Sequence, residues 1–446
     1  MQINPTSLTP IKASQRIHSL DIMRGIVLCG ILLMNINGFG LAGAYANPTV
    51  SGGASGLNLY TWIGTTMFFE GTMRALFSLL FGVGMYILLS RLEQKGAGIQ
   101  AANIYFRRLL WLLVFGLIHG YLLLWTGEIL YDYALMGFLV FSFRNLKART
   151  LLLSAILLFG IGTAWNYFEY RNDEKMLQNV QLAQEYKSSG RELSTEMEAA
   201  TARWQEIEKE RSAETVANTT RNMRKDYFSV VSFLAPENME TDTLWFYRYD
   251  VWDILSMMLL GIALFKWNLL SARRSYKFYG LIGIICYAIG LGVNYYELRI
   301  IMADNFSFLA YSRAGITYEL GRVFVAMGHV SLIMIFCKMP ILNWLQNSLA
   351  AVGKMALTNY VMHSVICMFI FTGVGLGLFG KLQRYELLYV VFGIWVFQLI
   401  LSPIWLRYFY FGPLEWVWRN LSYKKKHAFR KRLGEAPVIA EGSIAK

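Results

Sequence analysis

Apolar positions in this chain come in long uninterrupted runs, without the polar alternation of a half-buried strand or a soluble amphipathic helix. The runs lie at roughly 22–40, 67–89, 108–126, 128–143, 150–168, 247–265, 278–296, 316–337, 355–372 and 386–409. Most have the ~17–25 residues with which a helix crosses a hydrocarbon core of ~30 Å, and turn or charge signals flank each one. Within a bilayer a helix satisfies its own backbone groups in a single segment. The pattern predicts an all-α fold, a polytopic transmembrane helix bundle of about ten spans. Residues 169–243 are the one long hydrophilic segment. Acids and bases at helical spacing there, such as Glu206, Lys209, Glu210 and Arg211, predict a solvated helical hairpin outside the membrane. The chain then divides into a five-span half (1–168), a charged extracytoplasmic helical insertion (169–243), a second five-span half (244–423) and a basic tail (424–446).

Composition strengthens this. Apolar residues make up 55% and charged residues 16%, too few polar atoms to cover a soluble surface. In a soluble protein the formal net charge of +13 would suggest nucleic acid. Here the cations fall in short inter-run segments and in the tail from Lys424 to Arg432, where cytoplasmic loops and anionic headgroups account for them. Lys and Arg crowd the loops around 91–108, 144–149 and 266–277, whereas 41–66 holds none. The positive-inside rule places both termini in the cytoplasm of a multi-pass protein of the inner (plasma) membrane, with the insertion on the opposite face. Arg16, Arg24, the first run and Ala42-Gly43-Ala44 also resemble a cleavable signal peptide. The length of the run, and Asn35 near its end, favour a retained span. The four cysteines, Cys29, Cys286, Cys337 and Cys367, sit inside apolar runs with neither metal spacing nor a disulfide framework.

An ionisable group at the centre of a span costs ~2.5–3.5 kcal/mol on insertion scales, so those present carry information. Arg74, Glu128, Asp132, Asp250, Asp253, Glu319 and Arg322 come from four runs, at comparable depth in the outer half. Their mixed signs predict a polar cavity open to the outside, with ion pairs such as Glu319 with Arg322 as part of it. His119 is the sharpest single residue. Counted from Arg108 at ~1.5 Å per residue it lies ~17 Å deep, slightly past the midplane. It falls within Gly116-Leu117-Ile118-His119-Gly120, a G-x-x-x-G pattern that admits a neighbouring backbone. A turn near Gly127 brings Asp132 and Tyr133 back to its level and leaves Glu128 nearer the outer mouth. A histidine with a carboxylate at its level is a candidate general base; a histidine bonded to a backbone carbonyl is the structural alternative. His329 and His363 read as helix–helix hydrogen-bonding residues. There is no Walker motif, H-E-x-x-H or G-x-S-x-G elbow, and no metal site is expected.

Four blocks carry a resemblance. They are Arg16 to Gly25 (RIHSLDIMRG), Arg74 to Gly82 (RALFSLLFG), His119 with Gly127-Glu128-Ile129-Leu130 and Tyr133-Ala134, and Leu357-Thr358-Asn359-Tyr360 with Phe411-Gly412-Pro413-Leu414-Glu415-Trp416. Together they resemble the YeiB family of bacterial membrane proteins, across nearly the whole chain except 169–243. That family is similar in turn to heparan-α-glucosaminide N-acetyltransferase and, more distantly, to other transmembrane acyltransferases. The resemblance implies transfer of an acyl group, an acetyl first of all, from cytosolic acyl-CoA to a sugar or related acceptor across the membrane. Asn35 matches the family-like asparagine at the end of the first span. Ala46 stands where the heparan enzyme places a histidine, which leaves His119 as the replacement. His119 would then take the acceptor proton with Glu128 and Asp132 nearby, and Asn35 or Arg74 would stabilise the oxyanion. Arg24, Arg107, Arg108, Lys147 and Arg149 are the inner-face cations expected to meet CoA phosphates. The expected partners are the lipid bilayer, acyl-CoA as co-substrate with no permanently bound cofactor, and an extracytoplasmic glycan or lipid-linked acceptor. Nucleic acid is not among them. A transporter or permease using His119 and the carboxylates as a proton relay is the alternative, weakened by the lack of inverted repeats or paired broken helices.

Overall fold

The computed structural model describes residues 17–43 and 47–431; Ala44, Ala46 and the tail from Arg432 onward lie outside them. Regular structure among the described residues is helical, apart from one isolated bridge between Phe409 and Arg430. The first half builds α1 (His18–Gly40), α2 (Gly56–Phe68), α3 (Thr72–Gln94), α4 (Ile99–Leu122), α5 (Leu130–Phe143) and the 41-residue α6 (Ala148–Ser188). Then come α7 (Thr195–Glu210), α8 (Ala213–Met223) and α9 (Tyr227–Glu240), which runs through a π-helical stretch, Thr241–Asp250, into α10 (Val251–Lys266). The rest comprises α11 (Tyr276–Ala303), α12 (Phe308–Gly315), α13 (Tyr318–Lys338), α14 (Asn343–Lys354), α15 (Ala356–Phe371), α16 (Leu387–Tyr408) and α17 (Pro413–Tyr423). Each apolar run coincides with a helix. Seven helical segments are long and apolar enough to cross a membrane, or eight if the α14–α15 pair counts as one. At 14 and 16 residues, α5 and α10 are shorter than a span, so length alone does not reach ten.

Caps sort the helices by environment. Ser194, Ser212, Asp226, Ser275 and Ser307 each accept a backbone amide at the start of α7, α8, α9, α11 and α12, the usual way a helix start satisfies its free N–H groups. The apolar helices α1, α3, α4 and α10 start without a side-chain cap. Burial sorts them again. In α10 every residue from Asp253 to Ala263 is buried, as befits a helix surrounded on all sides. It packs on α3 and α6 at the centre of the largest core, beside α1, α5 and α13. On α11 and α16, by contrast, Leu281, Ile284, Phe392 and Ile400 stay exposed, an apolar outer face fit for lipid.

The bundle has a tail side, with the start of α1, Leu270, Lys354 and α17, and an insertion side, with the ends of α1 and α15 and the 169–243 segment. Two features depart from expectation. The stretch between the eighth and ninth runs, outside every expected span, folds as α14, lies against α1 and meets α15 at an 83° bend. The crossing needs glycine: a Cβ on Gly353 would strike the Asp21 carbonyl, and one on Gly25 the Leu349 carbonyl. The insertion, moreover, is only in part a free hairpin. α7 folds back on α6 around Met176, Val180 and Ala200, but α8 and α9 lie across the bundle. Met223, Val230 and Leu234 are buried there among Leu32, Ile36, Phe39, Trp125 and Phe371.

Candidate functional site

His119 lies near the C-terminal end of α4, where helix geometry turns its ring toward α5 and α15. Gly116 lets α5 come close: a Cβ there would stand 2.6 Å from the Tyr131 amide nitrogen. Gly120 is not pressed in the same way, with no atom nearer than 3.6 Å to its would-be Cβ. Its carbonyl instead accepts from Asn238 Nδ2 of α9 at 3.1 Å. Of the G-x-x-x-G pair, one glycine serves the helix contact and the other the roof.

Between α4 and α5 the chain doubles back through Leu124, whose φ is +60°, and Gly127, which rests on the Trp125 ring. This fold-back delivers Glu128, not Asp132, to the histidine. Glu128 Oε2 pairs with His119 Nδ1, and Oε1 accepts the Leu130 amide at the start of α5. The carboxylate therefore caps α5 and orients the imidazole at once. Since a carboxylate only accepts, Nδ1 carries the hydrogen and Nε2 presents its lone pair. That lone pair meets the Ser364 hydroxyl of α15 at 2.6 Å. His119, Glu128 and Ser364 are 1%, 4% and 1% exposed.

α15 divides its polar residues between two faces by the i, i+4 rule. Asn359 and His363 face α16. Asn359 bonds Ser402 Oγ at 3.1 Å and the Val352 carbonyl at 3.1 Å, while His363 Nε2 meets Gln398 Oε1 at 2.9 Å. Tyr360 and Ser364 face His119, with the Tyr360 ring 5.0 Å from the imidazole, centroid to centroid. His363 is thus the helix–helix residue its sequence suggested. So is His329, held between Tyr287 Oη at 2.5 Å and the Phe68 carbonyl at 2.8 Å.

Other expected site residues fall elsewhere. Asp132 is buried, but its Oδ1 has no hydrogen-bond partner and it does not reach the histidine. Asn35 is half-buried on α1 with no bond to His119; Asn37 is the buried asparagine there, accepting from Arg384 Nη1 at 3.1 Å. Arg74 is committed to carboxylates, at 2.6 Å from Asp250 and 2.7 Å from Asp253. Arg322 joins the same network, 2.6 Å from Asp253 and paired with Glu319. Five of the seven outer-half charges therefore form an ion-pair network, and four of these, Arg74, Asp250, Asp253 and Glu319, also form one wall of a cavity of ≈ 440 Å³ that reaches Glu169, Asp173 and Arg248 on the insertion side. Glu128 and Asp132 belong to neither the network nor the cavity wall.

A second cavity, ≈ 250 Å³, opens on the tail side. Arg24, Arg91, Arg108, Lys354 and Arg419 line it against the carboxylates Asp21 and Glu415. Phe77, Leu80, Phe81 and Leu112 form its apolar body, and Leu130, Tyr133 and Tyr360 its upper end. Of the cations expected to meet phosphate, Arg24 and Arg108 are there; Arg107, Lys147 and Arg149 are not among its lining, and Arg107 Nε turns to the Asn103 carbonyl at 3.1 Å. Tyr360 is the residue that the upper end shares with the site, through its packing on the His119 ring; His119, Glu128 and Ser364 are not among the lining. Tyr133, at the upper end of this cavity, bonds Ser78 Oγ at 2.8 Å and reaches the carbonyl of Arg74, a residue lining the other cavity, at 3.4 Å.

Helices of this length and apolarity, with an exposed hydrophobic belt, define a multi-pass membrane protein. Residues 264–425 match the family described as "Protein of unknown function (DUF418)". The chain is similar along its length to "Uncharacterized protein YxaH" of Bacillus subtilis, 29% identical with 94% of this chain and 97% of that one covered. It is equally similar to "Uncharacterized protein YeiB" of Escherichia coli, 29% identical over 92% of this chain and 97% of the other. No solved structure matches. Along its length the chain is thus similar to the YeiB-like proteins, and its second half carries the DUF418 match. That region contains Ser364 and Tyr360; His119 and Glu128 come from the half before it.

Ser364, Arg91, Lys354 and Arg419 escaped the sequence reading. Ser364 had a signal, since it stands one turn after Tyr360 and beside His363 in an apolar run. Lys354 had none until α14 folded.

Proposed function

We propose that this protein transfers an acyl group from acyl-CoA, taken up on the tail side, to a hydroxyl or amine acceptor reaching the site from the insertion side. One observation carries the reading: a cavity with a cationic mouth and an apolar body ends at Tyr360, whose ring packs on a buried histidine oriented by a carboxylate. Such a mouth suits the phosphates of CoA, and the apolar body suits the pantetheine arm and acyl chain. His119, its Nδ1–H held by Glu128, is poised to accept a proton at Nε2. Asp132 and Asn35 have no part in this reading, and Arg74 acts as a wall of the acceptor vestibule. The acceptor class that fits the cell-envelope setting is a glycan or a lipid-linked sugar.

The test is CoA release by purified protein in detergent, with acetyl-CoA and a panel of sugar acceptors. His119→Ala should slow it by ~10²–10⁴-fold while acyl-CoA still protects the cavity cations from chemical modification. Full turnover in His119→Ala would defeat the assignment. The bent α14–α15 pair favours a second reading, a transporter with a broken helix beside its site. Substrate counterflow without CoA release would identify it.

A further inference from the structure

We propose that Ser364 is a nucleophile that carries the acyl group as a serine ester between donor and acceptor; this rests on the acyl-transfer reading for its donor. The observation is the unbroken series Ser364 Oγ, His119 Nε2, His119 Nδ1, Glu128, buried throughout. Nucleophile, base and orienting carboxylate in that order are the arrangement that activates a hydroxyl, recognised by geometry and not by sequence position.

Ser364, like the buried helical Ser19 and Ser402, has its hydrogen bond with a partner distant in sequence, and it alone of the three meets a histidine. Ser78, Ser256, Ser331 and Ser422, all buried in helices of this bundle, return their hydroxyls to the carbonyl four residues earlier, the ordinary solution for a buried hydroxyl. Ser364 has its hydrogen bond with the histidine.

Two donors complete the site. The Trp125 indole N–H and the Tyr360 hydroxyl are both buried, and the indole is directed at the Tyr360 hydroxyl. They lie beside one another, and Tyr360 packs on the His119 ring one turn before Ser364. The Tyr360 hydroxyl, with the indole behind it, is a donor available to a charge that develops during reaction, as in an oxyanion hole.

The chemistry balances without a further reagent. His119 Nε2 takes the hydroxyl proton as Ser364 Oγ attacks the thioester carbonyl. The C–S bond breaks, the CoA thiolate leaves and takes the proton from His119, and an O-acyl serine remains. The acceptor hydroxyl or amine then loses its proton to His119 and attacks the ester. The new bond forms, Ser364 Oγ leaves, and the proton returns to it.

Two reagents test this on the full-length protein in detergent. Diisopropyl fluorophosphate, which needs an activated serine but no acyl donor, should phosphorylate Ser364 in the wild type, as located by peptide mass mapping. Ser364→Ala should lose that label, and His119→Gln should acquire it ~10²-fold or more slowly. Acetyl-CoA without acceptor should leave an acetyl group on the same peptide and support exchange of labelled CoA into acetyl-CoA. Absence of a phosphoryl label at Ser364 in folded wild type overturns the proposal, and mapping the wild type settles this even if the variants fail to fold. CoA exchange that persists in Ser364→Ala also overturns it while leaving acyl transfer standing. A phosphoryl label without any acetyl adduct keeps the nucleophile and removes acyl-CoA as its donor.

Discussion

At the scale of single residues, Glu128 and Asp132 separate two roles that the sequence could not. Both are buried acids at the start of one helix, but only Glu128 meets His119. Glu128→Gln keeps the shape and loses the charge that holds Nδ1–H and stabilises the imidazolium, so kcat should fall on the order of 10²-fold or more and the pH profile should shift. Asp132→Asn should leave both within a few-fold. Equal losses in the two variants would mean that the pairing seen here is not the working one. His363→Ala removes a buried bond to Gln398; a stranded polar group costs ~1–3 kcal/mol, so thermal stability should drop while kcat/KM holds. The sequence made His119 legible because an ionisable group deep in an apolar run is rare and costly. Its partner was misassigned because counting residues along ideal helices gives depth, and the fold-back at Leu124 lies outside that arithmetic.

At the scale of elements, the decisive contacts are those that helical periodicity leaves open. The runs were legible as helices; which helix faced which was not. Gly116 illustrates the difference. The G-x-x-x-G pattern correctly announced a close neighbour, and the neighbour is the backbone of α5 at Tyr131. Gly116→Ala forces α4 and α5 apart, with an overpacking cost of ~1–3 kcal/mol. Because Glu128 and His119 sit on the two elements that separate, activity should fall together with the melting temperature; a variant of unchanged stability and turnover would show the crossing is not so tight. The roof over the site was least legible, since charged α7 and the apolar face of α9 share one hydrophilic segment. Its α9 anchors are Tyr227 to the Leu122 carbonyl at 2.7 Å and Asn238 to that of Gly120. At its start, the Ser229 hydroxyl and amide hold Asp226 below the usual carboxylate range. A lowered pKa means the cap is present above that range and lost as pH falls through the folded value. Protection of the amides in the first turn of α9, taken against the intrinsic exchange rate at each pH, should therefore fall in acid, and should fall at neutral pH in Asp226→Ala.

At the scale of the whole molecule, the two cavities have opposite electrostatic characters and open toward opposite ends, and this constrains how the protein sits in the bilayer. The tail-side cavity carries five cations against two carboxylates, so it belongs on the face where anionic phosphates are supplied. Lys and Arg in the short loops lead by an independent rule to the expectation that this same end faces the cytoplasm. The prediction does not depend on how many helices span. α6 starts at the tail side, where Lys266 Nζ bonds the Arg144 carbonyl at 3.2 Å close to its first turn, and continues unbroken for 41 residues to Ser188. At ~1.5 Å per residue such a helix far exceeds a hydrocarbon core of ~30 Å, so its far end must stand clear of the opposite surface. Native cysteines do not confuse the measurement, because all four lie inside apolar runs. Cysteines introduced at Ser188 and Ser443 should therefore separate in intact cells: an impermeant maleimide labels Ser188→Cys at once and Ser443→Cys only after lysis. Equal labelling before lysis would put the cationic mouth and the insertion on one side, and acyl-CoA from the cytoplasm could then not be the donor.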